Sequence, residues 1–273
     1  ATELGLAVEQ VEKTVALIDE GNTIPFIARY RKEVTGSLDD TILRTLEERL
    51  TALRNLEKRK EEVKNLIDAQ GKLTPEIVAA IDRAVTVTEV DDIYRPFRPK
   101  RKTRASVARE RGLEPLAALL MAQEESYTPS LEEMAEQYID EEKGVPDGKS
   151  ALAGACDIIA EDISDDADYR REIRTLTMEH GLLISKKNGE SNPTYEMYFD
   201  YCEKLSGIPS HRVLAVNRGE AEDCLKVVVS VDSDIILNYM FAQVITRYGS
   251  PAFKYVASAV CDAYDRLIAP SIE

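Results

Sequence analysis

The stretch LDDTILRTLEERLTALRNLEKRKEEVKNLIDAQ, residues 38–70, decides the fold class of this chain. Apolar residues recur along it at helical spacing, and Glu, Lys and Arg occupy most other positions. The apolar positions are Leu38, Ile42, Leu46, Leu53, Leu56, Val63 and Ile67. Such a helix would be about 50 Å long at about 1.5 Å per residue. Ser37 and Asp40 have the spacing of an N-terminal cap, and Gly71 marks the end.

An isolated helix of this length needs a partner along its apolar stripe. The segment before it offers one, because apolar residues recur there with the same period and Gly21 ends the pattern. They are Leu4, Val8, Val11, Val15 and Ile18. The sequence therefore predicts that the first helix packs back on the long one as a helical hairpin.

The rest of the chain is also mainly helical by its patterns. Thr74 followed by Pro75 starts a helix whose buried face is predicted to contain Ile77, Ile81 and Val85. Only residues 181–185 and 225–231 have strand-like patterns, and they could pair around a helix at 209–218. We predict a mainly α, multihelical fold with a long helical hairpin, a helix-turn-helix-like unit and a small β element. The predicted domains are residues 1–71, residues 72–126 with a basic loop, and an acidic helical region with a small β-hairpin, residues 127–273.

Composition limits the classes of function. The net charge is −15, so only a local surface could attract a polyanion. No apolar stretch approaches the roughly 20 residues of a membrane span, and the chain shows no signal peptide. Four widely spaced cysteines without a CxxC motif predict reduced, mostly buried thiols of a cytoplasmic protein.

One segment, YRPFRPKRKTRASVARER at residues 94–111, opposes the overall charge. It holds eight Lys or Arg and one acid, a charge of +7, which leaves −22 on the other residues. Pro96 and Pro99 predict an extended loop, and Thr103 should cap a helix that ends at Gly112. We call residues 94–111 the basic stretch. Its cations could contact successive phosphates, and Tyr94 could stack on bases or serve as framework.

A second interpretation of the basic stretch stays open. Residues 124–168 contain fifteen acids and two lysines, a net charge of −13, so the basic stretch could dock on the protein's own acidic segment. A smaller cluster of Arg29, Arg31 and Lys32 surrounds Tyr30, and taken alone it is more typical of a solvated helix end.

No motif makes a comparable case for catalysis or metal binding. The segment GVPDGKS at residues 144–150 is one residue short of a phosphate loop and is more typical of a capped helix start. The carboxylates around Asp166 have calcium-like spacing, but the glycine and the final glutamate of such a loop are missing. His180 and His211 lack the partners of a triad or a zinc site. We therefore expect no enzyme activity, no metal and no cofactor.

Several long segments resemble the Tex family of bacterial transcription accessory proteins. The first is EGNTIPFIARYRKEVTG at residues 20–36, and the basic stretch continued to residue 117 is another. The others are QGKLTPE at 70–76, IPSHRVLAVNRGE at 208–220 and RLIAPSIE at 266–273. Phe97 stands where the family would have Tyr, which keeps a stacking surface.

The resemblance implies a helical N-terminal region with a helix-turn-helix-like unit. In the family this region precedes a YqgF-like domain, helix-hairpin-helix units and an RNA-binding OB-fold, which are absent from this sequence. We expect this chain to be the N-terminal portion of such a protein.

The predicted function is non-catalytic binding of RNA or DNA without sequence preference, combined with scaffolding and contacts to the transcription machinery. The alternative is a protein-interaction scaffold whose basic loop docks internally. The predicted nucleic-acid-binding residues are Tyr94, Arg95, Phe97, Arg98, Lys100, Arg101, Lys102, Arg104 and Arg109.

Overall fold

The computed structural model describes residues 1–99, 102–189 and 192–272. Internal contacts divide the chain into two units, Ala1–Tyr94 and Arg95–Glu273, called here the N-terminal and C-terminal units. Residues 72–126, predicted as one domain, are therefore shared between them, and their helix-turn-helix-like character stays a prediction.

The N-terminal unit is built from six α-helices and a short 3₁₀ turn at Thr2–Leu4 within its described residues. The helices are α1 (Val8–Asp19), α2 (Ile24–Tyr30), α3 (Lys32–Thr35), α4 (Asp40–Asp68), α5 (Pro75–Arg83) and α6 (Val87–Tyr94). Helix α4 is the predicted long helix, and α1 packs along it as expected. Their shared core contains Leu17, Ile24, Ile27, Leu38 and Leu43.

Ion pairs fasten α4 to its neighbours at successive turns. Arg49 Nε lies 2.6 Å from Glu3 Oε2, and Arg54 Nη1 lies 2.7 Å from Asp19 Oδ1 on α1. Lys60 is buried and donates from Nζ to the backbone oxygen of Asp82 at 3.0 Å. A lysine therefore occupies a position on the buried stripe of α4, with its ammonium held at the end of α5.

Some local predictions in this unit are wrong. The cap of α4 is Asp39, whose carboxylate accepts from the Ile42 amide at 2.8 Å, whereas Ser37 has a left-handed φ of 63°. Leu53 is 42% exposed because the stripe of α4 is only partly covered. Val85 is 66% exposed, since α5 ends at Arg83 before its helical face could continue.

The C-terminal unit begins with a 3₁₀ turn at Arg95–Phe97 and continues through a series of helices. They are α7 (Arg104–Glu110), α8 (Glu114–Ala122), α9 (Leu131–Glu136), α10 (Gly148–Asp165), α11 (Ala167–His180), α12 (Ser210–Ala221), α13 (Ser233–Val244), α14 (Phe253–Asp262) and α15 (Ala269–Ile272). A π-helical segment, Ala263–Ile268, joins α14 to α15, and further 3₁₀ turns occur at Pro193–Tyr198 and Leu205–Gly207.

A three-stranded antiparallel sheet accompanies these helices. Strand β1 (Leu182–Lys187) lies between β2 (Asp200–Lys204) and β3 (Leu225–Ser230). The pairing of β1 with β3, and the helix α12 between them, confirm the prediction. Strand β2 was not predicted, because its sequence DYCEK is polar and short and gains its order from pairing with β1.

Helix α10 lies at the centre of the C-terminal unit. It packs against α7, α8, α9 and α14, and most of its residues are buried. Close packing depends on small residues: a Cβ added at Gly154 would lie 2.4 Å from Leu113 Cδ1 and 3.4 Å from Ala108 Cβ. Leu113 is fully buried, so it has little room to move. The short distance between α10 and the segment containing Ala108 brings the basic stretch within reach of the carboxylates of α10.

Candidate nucleic-acid interface

Tyr94 ends helix α6 and is the last residue of the N-terminal unit. It is 6% exposed, and the Arg59 guanidinium lies over its ring, 5.8 Å from the centroid. Arg59 in turn pairs with Asp91 at 2.6 Å. A ring in this position cannot offer a face to a base, so the geometry supports the framework role of Tyr94 and not the stacking role.

The residues after Tyr94 do not form the extended loop that the two prolines predicted. Arg95–Phe97 make a 3₁₀ turn, and the Arg98 amide donates to the Arg95 carbonyl at 3.3 Å. Pro96 can occupy the second position of such a turn because its fixed φ suits it and the turn needs no proton from its nitrogen. Phe97 is half-buried in this turn, and Arg98 is exposed.

Helix α7 begins where the sequence predicted. Thr103 Oγ1 accepts from the Ser106 amide at 3.0 Å, and Ser106 Oγ accepts from the Thr103 amide at 2.9 Å. This reciprocal capping box fixes the start of the helix. Lys102 and Arg104 flank the cap, and both side chains are exposed. Within the described residues neither of them forms an ion pair with a carboxylate.

Two other cations of the basic stretch are paired internally. Arg95 Nε donates to Asp165 Oδ1 at 3.2 Å. Arg109 Nη1 donates to Glu161 Oε2 at 2.6 Å, and its Nη2 donates to Asp162. All three carboxylates lie at the C-terminal end of α10, inside the acidic segment 124–168. For these two arginines the internal docking foreseen as the alternative is the observed arrangement.

The electrostatics of this contact favour the charged form of Arg109. Burial alone would lower the pKa of Arg109, but the hydrogen bond to Glu161 and the charge of Asp162 outweigh it and raise that pKa. Burial raises the pKa of Asp157 on α10, and the charges of Arg266 and Arg104 oppose that rise. Arg104 therefore lies within electrostatic range of α10 although it forms no ion pair there.

The predicted site thus separates into parts with different surroundings. Tyr94, Arg95 and Arg109 are engaged within the protein, and Phe97 is half-buried. Arg98, Lys102 and Arg104 are exposed. Lys100 and Arg101 lie outside the described residues. The charge of this segment was predictable from the sequence, but this separation was not, because it depends on contacts with distant residues such as Glu161 and Asp165.

Segment 144–150 and the carboxylates around Asp166 each supply a helix cap. Asp147 caps α10 by accepting from the Ser150 amide at 2.7 Å. Asp166 caps α11 by accepting from the amides of Asp168 and Tyr169, both at 2.9 Å. In the part of the chain that the structure describes, no group of three or more His, Cys, Asp or Glu side chains is arranged to hold a metal ion.

The four cysteines are free, as predicted, but they are not mostly buried. Cys156, Cys224 and Cys261 are half-buried, and Cys202 is exposed on β2, where exposed and partly buried residues alternate. Burial and the charges of Asp157 and Asp262 raise the pKa of Cys156 to about 11. Among the described helices, none combines the length and apolar character that crossing a bilayer requires.

Comparison with known proteins gives the family of this chain. A profile of the Tex-like protein N-terminal domain matches residues 1–68, and a Tex central region-like profile matches residues 126–273. The chain is 44% identical over 278 residues to the uncharacterized protein YdcI of Bacillus subtilis, covering all of this chain and 38% of that protein.

Two further relatives have names that refer to Tex. Protein tex of Bordetella pertussis is 44% identical over 238 residues, which cover 86% of this chain and 30% of that protein. Transcriptional accessory protein Tex of Neisseria gonorrhoeae is 40% identical over 252 residues, which cover 90% of this chain and 32% of that protein. The chain therefore spans about a third of the length of these relatives. Because the central-region profile alone matches more than half of its residues, the chain belongs to the Tex family.

Proposed function

We propose that this chain is the non-catalytic, nucleic-acid-binding N-terminal portion of a cytoplasmic transcription accessory protein. The name of the gonococcal relative supports the general role in transcription. The observation that carries the binding proposal is the exposure of Lys102 and Arg104 on a segment that Arg95 and Arg109 fasten to helix α10.

The two groups of cations have different roles in this proposal. Arg95 and Arg109 hold the 3₁₀ turn and helix α7 in place through α10. Lys102 and Arg104 flank the start of α7 and are available to phosphate oxygens. Contacts of this kind neutralise the backbone and release counterions, so they give affinity without reading sequence. We expect binding to RNA and DNA of mixed sequence.

The test is a titration of labelled single-stranded and duplex RNA and DNA with the whole chain at several salt concentrations. Each neutralised phosphate should contribute a slope of about −0.9 to log affinity against log salt on duplex DNA, and about −0.7 on single strands. A measurable complex with a negative slope supports the proposal. Absence of a complex at low salt and high micromolar protein would refute it.

A second function is favoured by one observation. The ion pairs of Arg95 and Arg109 to α10 are what a domain scaffold with an internally docked basic segment would need. In that case the basic stretch serves architecture, and the chain positions the rest of the protein or contacts the transcription machinery. A salt slope that the alanine variants of Lys102 and Arg104 leave unchanged would favour this scaffold.

A further inference from the structure

A second basic and aromatic surface lies in the N-terminal unit, on helix α2 and the turn that follows it. Tyr30 is 65% exposed, and its ring centroid lies 5.2 Å from that of Phe26 at an interplanar angle of 45°. The Arg31 guanidinium lies over the Phe26 ring, 5.2 Å from its centroid. Arg29 and Lys32, which are close to Tyr30 in the sequence, are also exposed. We call these five residues the α2 surface.

The cations of the α2 surface differ from others in the same unit. Each arginine on α4 pairs with a carboxylate: Arg44 with Asp40, Arg49 with Glu3, Arg54 with Asp19 and Arg59 with Asp91. Within the described residues, none of Arg29, Arg31 and Lys32 has a carboxylate partner. In a chain of net charge −15, three neighbouring cations without an acidic partner indicate a surface directed at an external anion.

The scaffold beneath these side chains is fixed. Ile24 and Ile27 of α2 are buried in the core shared with α1 and α4. Gln10 Nε2 donates to the Thr35 carbonyl at 3.2 Å, which ties α3 to α1. Gly36 follows with a φ of 69°, and a Cβ at this position would lie 2.5 Å from the side-chain Nε2 of Gln10. The turn therefore requires glycine. The exposed Tyr30 ring is therefore presented by backbone that is ordered before any ligand binds.

We infer that the α2 surface binds single-stranded nucleic acid, with a base stacked on Tyr30 and adjacent phosphates near Arg29 and Lys32. Stacking is tolerant of sequence because every base has a π face, and it is strongest when the bases are not already paired. An acidic peptide would satisfy the cations, but it would make no use of an exposed ring. The inference concerns a different surface from the basic stretch and does not rest on the proposed function of that stretch.

The chain supplies a matched control for Tyr30. Tyr248 in the C-terminal unit is 67% exposed, and its ring lies 5.5 Å from that of Phe253 at 42°. Its neighbour Arg247 pairs with Glu124 at 3.5 Å, so this aromatic pair lacks the unpaired cations of the α2 surface. Substitutions at Tyr30 and Tyr248 therefore remove similar exposed rings in different electrostatic surroundings.

The first experiment measures affinity of the whole chain for a fluorescent oligouridylate of about 12 nucleotides, within the range of known single-strand sites. Tyr30→Ala should weaken binding by about tenfold, the order expected for one stacked base. Tyr30→Phe should bind like the wild type, and Tyr248→Ala should have no effect. A Tyr30→Ala variant that is folded by circular dichroism and binds within twofold of wild type would overturn the inference.

The second experiment uses the absence of tryptophan from the sequence. Tyr30→Trp places a unique fluorophore on the α2 surface, and saturable quenching by the oligonucleotide is expected. Tyr248→Trp should show none. Absence of quenching at Tyr30→Trp, or equal displacement of the oligonucleotide by polyglutamate at matched charge, would overturn the inference. Because alanine variants of Lys102 and Arg104 should leave this quenching in place, failure of either site can be told from failure of the other.

Discussion

Replacing Lys102 and Arg104 together by alanine should weaken binding of nucleic acid in a way that salt can measure. Both side chains are exposed, and neither forms an ion pair among the described residues, so their loss should leave the fold intact. If each contacts one phosphate, the slope of log affinity against log salt becomes shallower by about 1.8 on duplex DNA and about 1.4 on a single strand.

The size of the effect follows from that slope. Between about 50 and 200 mM salt, a slope difference of about 1.8 changes the ratio of wild-type to variant affinity by about twelvefold. The two proteins should therefore differ most at low salt and converge at high salt. Fluorescence anisotropy with a labelled duplex of mixed sequence, at four or more salt concentrations, measures the slope directly.

Arg109→Ala is the comparison that tests the reasoning. Its guanidinium already pairs with Glu161 and Asp162, so its removal should leave the salt slope nearly unchanged. It should instead lower the free energy of unfolding by about 1–2 kcal/mol, between the values for exposed and buried ion pairs. Thermal melting by circular dichroism measures this loss. If Arg109→Ala flattens the slope as much as the double variant does, the separation into anchoring and binding cations is wrong.

Three further outcomes are expected. Gln123→Leu should lower the free energy of unfolding by about 3 kcal/mol in urea titrations. The buried Gln123 side-chain amide donates to the Val244 carbonyl at 2.9 Å and accepts from the Thr246 amide at 3.0 Å, and the substitution would leave both of these backbone groups without that partner. An effect below about 1 kcal/mol would contradict this prediction. Hydrogen bonds from Lys254 and then Tyr255 lower the pKa of Glu132 from 4.5 to about 2, so its contribution to stability is present above pH 4.5 and disappears as the pH falls toward 2. Glu132→Gln should therefore make stability less dependent on pH between about 4.5 and 2, by at most about 1 kcal/mol because the pair is half exposed; an unchanged pH dependence would contradict this. Alkylation at pH 8 followed by mass spectrometry should modify exposed Cys202 first and Cys156 last, since the Cys156 thiol has a pKa of about 11; the reverse order would exclude these assignments.

Features that depend on neighbouring residues in sequence were predictable. The periodicity of residues 38–70 gave the long helix, and Thr74 and Thr103 marked the starts of α5 and α7, where their hydroxyls accept amide hydrogens three residues ahead. These signals are local because a cap and its partner lie within one turn of helix. Where two capping residues lie close together in the sequence, the pattern does not show which one forms the cap. At the start of α4 the cap is Asp39 and not Ser37.

Features that depend on distant residues were not predictable from single positions. Strand β2 is polar and owes its conformation to pairing with β1. Lys60 lies at a buried position because the backbone carbonyl of Asp82 accepts a hydrogen bond from its ammonium group. The opposite charges of the basic stretch and of residues 124–168 allowed an internal contact to be foreseen. Which arginines would take part depends on the packing of α7 on α10, which no pattern in the sequence specifies.

The glycine at position 154 has a consequence for how binding could change during evolution. The seam between α7 and α10 is tight there, and a single methyl group would meet the buried Leu113 side chain. Only a displacement of α7 large enough to separate Arg109 from both Glu161 and Asp162 would make its guanidinium available to solvent. A substitution at the buried, uncharged Gly154 could thus change affinity for a polyanion without any contact between residue 154 and the ligand.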